Sequence, residues 1–362
     1  MTSGQQRVLQ SARSPEIHFG GPAELPGHLR NVLAERIAAV PGGGSIDWVT
    51  YYFRDLQLAQ ALIKAKNRGV RVTVILEGRP RIPHANDSVI AMLSGADGLG
   101  EGFRLVALPG IPSPSTKSWK PQLHEKLYCF SHPRPIAFIG SFNPSGNMPD
   151  EDPEIIREIG DQDRGYNVLV GFIEPDLVEK LVDHARQIHQ VSPSIFYRFS
   201  PDANRAIHGS DTAIHFWPRA NPHPVIRFLH QVSSKARVRV VASHIRTASA
   251  VETMITLARR GVALEIFAEA TCRRVTPRVE RLLSSAGIRF RRIRISGELP
   301  MHLKFVLIED GNQVNSIFGS FNWTKPSFWL NHEIAAISSN REIFEAFAER
   351  WDMLESEKSD KT

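Results

Sequence analysis

LHEKLYCFSHPRPIAFIGSFNPSGN, residues 123–147, and MHLKFVLIEDGNQVNSIFGSFNWT, residues 301–324, are two copies of one pattern in a single chain. Each opens on His-x-Lys, at His124 and Lys126 and again at His302 and Lys304. Each then runs through apolar residues to a turn and returns to Gly-Ser-Phe-Asn. The separation from His to Gly is 16 residues in the first copy and 17 in the second. Two apolar runs around a turn predict a β-hairpin in both. Along a strand, residues i and i+2 share a face, so the imidazole and the ammonium of each copy are expected side by side. The returning strand ends at Gly140 or Gly319, where glycine permits backbone geometry other residues avoid. Beside it stand the neutral hydrogen-bonding groups of Ser141 and Asn143, or of Ser320 and Asn322. Two such clusters meeting across a pseudo-twofold axis would surround one phosphate with two Lys, two Asn and two His.

Working outward, the flanking segments repeat as well. In the first half IDWVTYYF (46–53) reads as a strand, DLQLAQALIKAKNRG (55–69) as a helix stopping at Gly69, and VRVTVILEG (70–78) as a strand. In the second half ARVRVVASHI (236–245), AVETMITLARRG (250–261) and VALEIFAEA (262–270) keep that order. Each half adds a helix, VIAMLSGA or RVERLLSSAG, and a further strand, FRLVAL or IRFRRIRI. Alternation at these lengths predicts the α/β class, with two similar lobes, each a mostly parallel sheet flanked by helices. The expected organisation is an N-terminal segment (1–34), a first lobe (35–200), a second lobe (205–355) and a disordered tail (356–362).

Composition limits the function classes. A chain of 362 residues, 42% hydrophobic, exceeds one simple domain. No run of about 18 apolar residues suggests a membrane span, and the N-terminus lacks a signal-peptide core. A cytoplasmic protein, with peripheral membrane contact as an option, is expected. Cys129 and Cys272 stand far apart without ligand-spaced neighbours, so neither zinc nor a disulfide framework is indicated. No carboxylate cluster suited to Mg²⁺ or Ca²⁺ lies beside the repeated motifs. The net charge of +6 suits an anionic partner.

The paired His-x-Lys and Gly-Ser-x-Asn motifs resemble those of the phospholipase D superfamily over roughly residues 35 to 355. The resemblance implies a single site between the lobes that works without cofactor or metal. It implies that one His attacks phosphorus to form a phosphohistidine while the other protonates the leaving alcohol, then activates water or an acceptor alcohol. By the same resemblance His124 is the nucleophile and His302 the acid, with Lys126, Lys304, Asn143, Asn322 and Glu333 catalytic. Ser141, Ser320 and Asn167 are assigned to substrate binding. The chain departs from the family pattern in two places. The Asp that usually follows the His by seven positions is Ser131 in one half and Glu309, with Asp310 beside it, in the other. The acidic residue that orients a catalytic His is matched by Glu333 in LNHEIAAI but by Asn167 in GYNVLVGF, unless Asp161 or Asp163 takes its place. An Asn orients an imidazole but supplies no charge, so the two histidines are expected to differ.

Three readings follow: a hydrolase or phosphatidyltransferase acting on a phospholipid or small diester, a metal-independent nuclease, and a catalytically silent binding protein. SFWLNHE resembles the lipid branch, while GSFNWTK also resembles the nuclease branch. The arginines of IRFRRIRI suit either a substrate path or a solvated strand edge. LPGIPSPSTKSWKPQ (108–122) suits a lid, an interfacial anchor or an ordinary loop. The acidic stretch NMPDEDPEIIREIGDQD (147–163) argues against a nucleic-acid track on its side.

Overall fold

Both hairpins form, and each lies within a sheet of its own. The computed structural model describes residues 14–108, 120–145, 163–190, 205–294, 299 and 301–357. The first sheet contains β1 (Glu16–Gly20), β2 (Ser45–Thr50), β3 (Arg71–Glu77), β4 (Phe103–Val106), β5 (Leu127–Phe130), β6 (Ile136–Gly140) and β7 (Asn167–Phe172). Their order is β1-β7-β6-β5-β2-β3-β4. The second contains β8 (Ile207–His208), β9 (Thr212–Trp217), β10 (Arg237–Ala242), β11 (Ala263–Glu269), β12 (Arg289–Ile293), β13 (Lys304–Asp310), β14 (Gln313–Gly319) and β15 (Glu333–Ser338). Its order is β12-β11-β10-β13-β14-β15-β9-β8. Read from β9 to β12 the second repeats the first strand for strand, and β8 is an eighth strand added at its edge.

The sheets are mixed rather than mostly parallel. β2–β3–β4 and β10–β11–β12 pair in parallel, while the hairpins and the strands beyond them pair antiparallel. The cause is connection length: strand–helix–strand crossovers return the chain in the same direction, and short turns reverse it. The segment before residue 35 is also not separate. β1 pairs with β7, and α1 (His28–Ala39) buries Leu29, Val32, Leu33 and Ile37 against the first lobe.

Apolar spacing places the helices, and side-chain caps close some of them, α2 (Leu56–Asn67) among these. In α2 the Asp55 carboxylate accepts from the Leu58 amide, Leu58, Ala59, Leu62 and Ile63 are buried, and Gly69 follows with φ 87°. α3 (Asp87–Ser94) and α4 (Pro175–Gln190) complete the first lobe. The second lobe has α5 (Pro224–His230), α6 (Ala248–Arg259), α7 (Pro277–Ser285), α8 (Lys325–Trp329) and α9 (Arg341–Ser356). α6 repeats α2, burying Val251, Met254 and Leu257 before Gly261 at φ 96°. α9 runs one residue into the expected tail, whose residues 358–362 lie outside the described ones.

One apolar core joins the sheets. Val49, Ile139, Val168 and Leu181 of the first lobe are continuous with Val241, Phe267, Phe305, Phe318, Phe347 and Trp351 of the second. Phe172 stacks on Phe318 with ring centroids 6.2 Å apart. At roughly 1.5–3 kcal/mol for each large apolar side chain buried, this seam holds the lobes in register. Each lobe also has a core of its own, and Tyr51, Tyr52 and Ala85 form a small separate cluster.

Gly140 and Gly319 end β6 and β14 at close approaches. A Cβ on Gly140 would stand 1.9 Å from the Val168 carbonyl oxygen, and one on Gly319, at φ 147°, 2.3 Å from that of Ile334. Gly140→Ala and Gly319→Ala are each expected to destabilise by about 1–3 kcal/mol through this overlap. In thermal unfolding that is a fall of roughly 3–10 °C. An unchanged midpoint for both would count against the described strand spacing.

Candidate active site

The two His-x-Lys segments leave their own sheets before reaching the site. His124 and His302 lie in the extended lead-ins to β5 and β13, so the strands expected to hold them begin three residues later in the first lobe and two in the second. Each lead-in pairs with the opposite lobe. The His124 amide donates to the His332 carbonyl at 2.8 Å, and the His332 amide donates to that of Gln122 at 2.8 Å. The His302 amide donates to the Tyr166 carbonyl at 2.9 Å. Isolated bridges Leu123–His332 and Tyr166–Met301 continue this pairing. Each histidine is thereby set beside the first residue of a strand from the other lobe.

Those first residues are Glu333 and Asn167. His124 Nδ1 lies 2.8 Å from Glu333 Oε2, and His302 Nδ1 lies 2.9 Å from Asn167 Oδ1. A carboxylate and an amide carbonyl only accept, so both imidazoles carry hydrogen on Nδ1 and keep the Nε2 lone pair. Both line a single cavity of about 410 Å³, together with Asn143, Asn322, Tyr51, Tyr52, His244 and Arg274. His302 takes Asn167 as its partner, so Asp163 does not replace it; Asp161 lies outside the described residues.

Electrostatics separate the halves. Glu333 is fully buried yet accepts from His124, from Ser320 Oγ at 2.5 Å, Ser327 Oγ at 2.7 Å and Asn331 Nδ2 at 3.1 Å. Burial pushes its carboxyl up, but His124, Lys126 and these bonds outweigh that and hold it below the ordinary carboxylate range. His124 is lowered to about 4, first by burial and then by Lys126 and Lys304, with Glu333 opposing. His302 falls well below the usual value through burial and the charges of Lys304, Lys126 and Arg274. Burial lowers Lys126 to about 7 against the pull of Glu333 and Glu125, and burial with Lys126 and Arg274 lowers Lys304 far below its usual value. A site whose cations are this strained toward neutrality favours an arriving anion.

The remaining sequence-expected residues divide by position. Lys126 and Lys304 are buried just under the cavity, their Nζ atoms donating to the carbonyls of His124 at 2.8 Å and His302 at 2.7 Å. Asn143 and Asn322 face the cavity, and Asn322 Oδ1 has no hydrogen-bond partner among the described residues. Ser141 and Ser320 are fully buried and do not line it. Ser141 Oγ donates to Asn167 Oδ1 at 3.1 Å, as Ser320 Oγ does to Glu333. Asn167 is likewise fully buried. Of these three, expected on substrate, Asn167 bonds His302 itself, and the two serines bond Asn167 and Glu333, the partners of the histidines. Ser131 Oγ accepts from the Ser45 amide, Glu309 pairs with Arg239, and Asp310 accepts from Ser233, all away from the cavity.

The arginine-rich strand is a structural edge. Arg289 pairs with Glu265 and Glu355, Arg292 with Glu280, and Arg291 donates to the Glu355 carbonyl; none of the three lines the cavity. Residues 109–119 of the expected lid or anchor, and 147–162 of the acidic stretch, lie outside the described residues. Tyr51, Tyr52, His244, Arg81, Arg246 and Arg274 were not anticipated. All follow the carboxyl ends of parallel strands β2, β3, β10 and β11, the edge where α/β sheets build sites, and that positional rule is the signal that finds them.

No helix among the described residues is long and apolar enough to cross a membrane. No curated protein matches the chain. Among solved structures, polyphosphate kinase from Porphyromonas gingivalis is 15% identical with a TM-score of 0.64, over 95% of this chain and 47% of that one. The chain thus spans about half of that protein's length. Phosphatidylserine synthase from Haemophilus influenzae is 11% identical with a TM-score of 0.62, over 97% of this chain and 90% of that one. At these identities the likeness shows a shared fold. The family model described as cardiolipin synthase, PLD-like domain, matches residues 42–167 and 227–354, one copy in each lobe. Both halves of the site fall within those matches, and the chain belongs to the phospholipase D superfamily.

Proposed function

We propose that this protein is a phosphodiester hydrolase or phosphatidyltransferase that works through a phosphohistidine on a phospholipid or small diester. The observation that carries the reading is the pair of imidazoles on one cavity, each held at Nδ1 by the opposite lobe. His124 Nε2 forms the N–P bond while the P–O bond to the leaving alcohol breaks. His302, protonated in the bound state, supplies the proton to that alkoxide. Neutral His302 then takes a proton from water or an acceptor alcohol, whose oxygen forms the new O–P bond as N–P breaks. Lys126, Lys304, Asn143 and Asn322 hold the non-bridging oxygens, and the anion restores charge to groups that burial has pushed toward neutrality. Glu333 keeps His124 in the productive tautomer.

The cavity's size suits a headgroup-scale ligand rather than a duplex. The protein is read as cytoplasmic and peripheral to its lipid. In EDTA, the purified protein is expected to hydrolyse bis(4-nitrophenyl) phosphate. It should also release headgroup from labelled phospholipid vesicles, with transfer products when glycerol is added. Cleavage of single-stranded or plasmid DNA with every lipid intact would overturn the lipid assignment. Silence on all diesters, with wild type matching His302→Ala, would overturn the enzyme.

A further inference from the structure

The middle residue of the first His-x-Lys is a buried carboxylate to which the reaction above gives no task. Glu125 stands between His124 and Lys126, and its counterpart between His302 and Lys304 is Leu303. Both are fully buried, Leu303 within the apolar core that joins the lobes. Glu125 Oε2 accepts from His184 Nε2 of α4 at 2.9 Å. Its Oε1 has no hydrogen-bond partner among the described residues and stands 3.9 Å from His332 Nδ1 in the lead-in to β15. His332 does not cancel the charge, since burial and then His184 lower it to about 3 against the pull of Glu333. Phe216 of β9 stacks on the His184 ring with centroids 3.8 Å apart, so the second lobe holds the imidazole that holds the carboxylate. His184 in turn lines a second cavity of about 480 Å³ with Lys180, Asp183, Arg205 and His208. A buried carboxylate with one oxygen unbonded is costly, and the other lobe fills the same place with leucine, so packing does not account for Glu125.

The lysine beside it supplies the reason. Lys126 is fully buried, with Nζ on the His124 carbonyl and 5.4 Å from the centre of the Tyr51 ring. Its charge opposes the charged forms of His124, His302 and Lys304, while the carboxylates of Glu333 and Glu125 favour its own. Glu333 is already engaged by His124, Ser320, Ser327 and Asn331.

Resting on the role given above to Lys126, we propose that Glu125, fixed by His184, is a positioning residue that keeps the Lys126 ammonium charged in the empty site, ready for the phosphate. Neighbouring side chains leave an extended segment on opposite sides, so with His124 on the cavity Glu125 lies behind the backbone and does not line it. The first His-x-Lys thus carries a counter-charge of its own, and the second, with Leu303, relies on the shared Glu333.

The test is calorimetric titration of the full chain in EDTA with inorganic sulfate, whose own charge stays fixed across the pH range used. In the wild type, affinity should fall once Lys126 loses its proton, above about pH 7. Removing the anion disfavours the ammonium, so in Glu125→Gln the fall should begin about one pH unit lower. Binding is then about tenfold weaker than wild type at about pH 8 and within about twofold of it at about pH 5. His184→Leu deprives the carboxylate of its donor and should displace the fall the same way. Combining the two changes should do no more than either alone, because the pair acts as a unit. Glu125→Asp keeps the charge and should stay within about threefold of wild type at about pH 8. Glu125→Leu with His184→Leu copies the apolar arrangement at Leu303; it should fold even where a lone substitution does not, and show the same displacement. Thermal unfolding identifies the folded variants. A loss of affinity equal at both pH values, or no loss, overturns the inference, as do additive losses in the double variant or a wild type that binds no sulfate. Turnover of bis(4-nitrophenyl) phosphate reports the underlying reaction separately: turnover with an undisplaced sulfate profile sinks only this inference, and a displaced profile without turnover sinks only the reaction.

Discussion

His124→Ala is expected to lower diester turnover by about 10⁵-fold and to abolish the covalent intermediate, since no other group replaces a lost nucleophile. His302→Ala should behave differently on bis(4-nitrophenyl) phosphate. Nitrophenolate leaves without a proton, so the first step survives and one equivalent of nitrophenol per site is released in a burst. The second step then stalls, because nothing removes the proton from water, and steady turnover falls by about 10²–10⁴-fold. Acid-labile phosphate should accumulate on His124 in that variant. The geometry gives the asymmetry its reason: only His124 has a buried carboxylate on Nδ1 to stabilise positive charge as its Nε2 bonds to phosphorus. Label on His302, or a burst from His124→Ala, would reverse the roles. Label on neither would end the covalent route.

The repeat made most of this legible before any coordinates. Two hairpins with matching flanks dictate two similar sheets, and the sheets form in the expected order because each flank carries its own helix period and stop at Gly69 and Gly261. The cavity-facing residues His124, His302, Asn143 and Asn322 were likewise readable, since motif and spacing mark them. What was not readable is anything set by contact between lobes. That Glu333 serves His124 and Asn167 serves His302 depends on the lead-ins crossing to the opposite sheet, a pairing no local pattern encodes. Ser141 and Ser320 were misplaced for a related reason. A serine beside a catalytic Asn looks like a ligand in one dimension, and only the position of β7 and β15 shows it reaching backward. The cavity arginines escaped because they sit in irregular loops of dissimilar sequence, whereas the conspicuous arginines of β12 turned out to be neutralised by glutamates.

Moving the charge between the two orienting positions is the second large effect. Glu333→Gln removes the anion beneath His124 and leaves Ser320, Ser327 and Asn331 aimed at a group with one oxygen instead of two. Turnover is expected to fall about 10²–10⁴-fold, the scale on which general acid–base groups act. The converse change, Asn167→Asp, places a carboxylate 2.9 Å from His302 Nδ1. Unit charges about 4 Å apart at an effective dielectric of about 20 attract by roughly 4 kcal/mol. Desolvating the new carboxylate takes back part of that, which leaves about one to two pH units of upward shift. The direction follows from the charge: an anion favours imidazolium, so His302 stays protonated to higher pH. The alkaline limb of the pH–rate profile should therefore move up by one to two units for a substrate with an alcohol leaving group. At pH 8 its rate should rise about tenfold, while nitrophenyl ester cleavage, which needs no proton donor, changes little in its first step. Stability carries the same sign: wild-type His302, depressed in the fold, costs stability as pH falls below about 6.5, and Asn167→Asp should reduce that loss. An alkaline limb that stays in place, or moves equally for both leaving groups, would show that His302 is not the group protonating the departing oxygen.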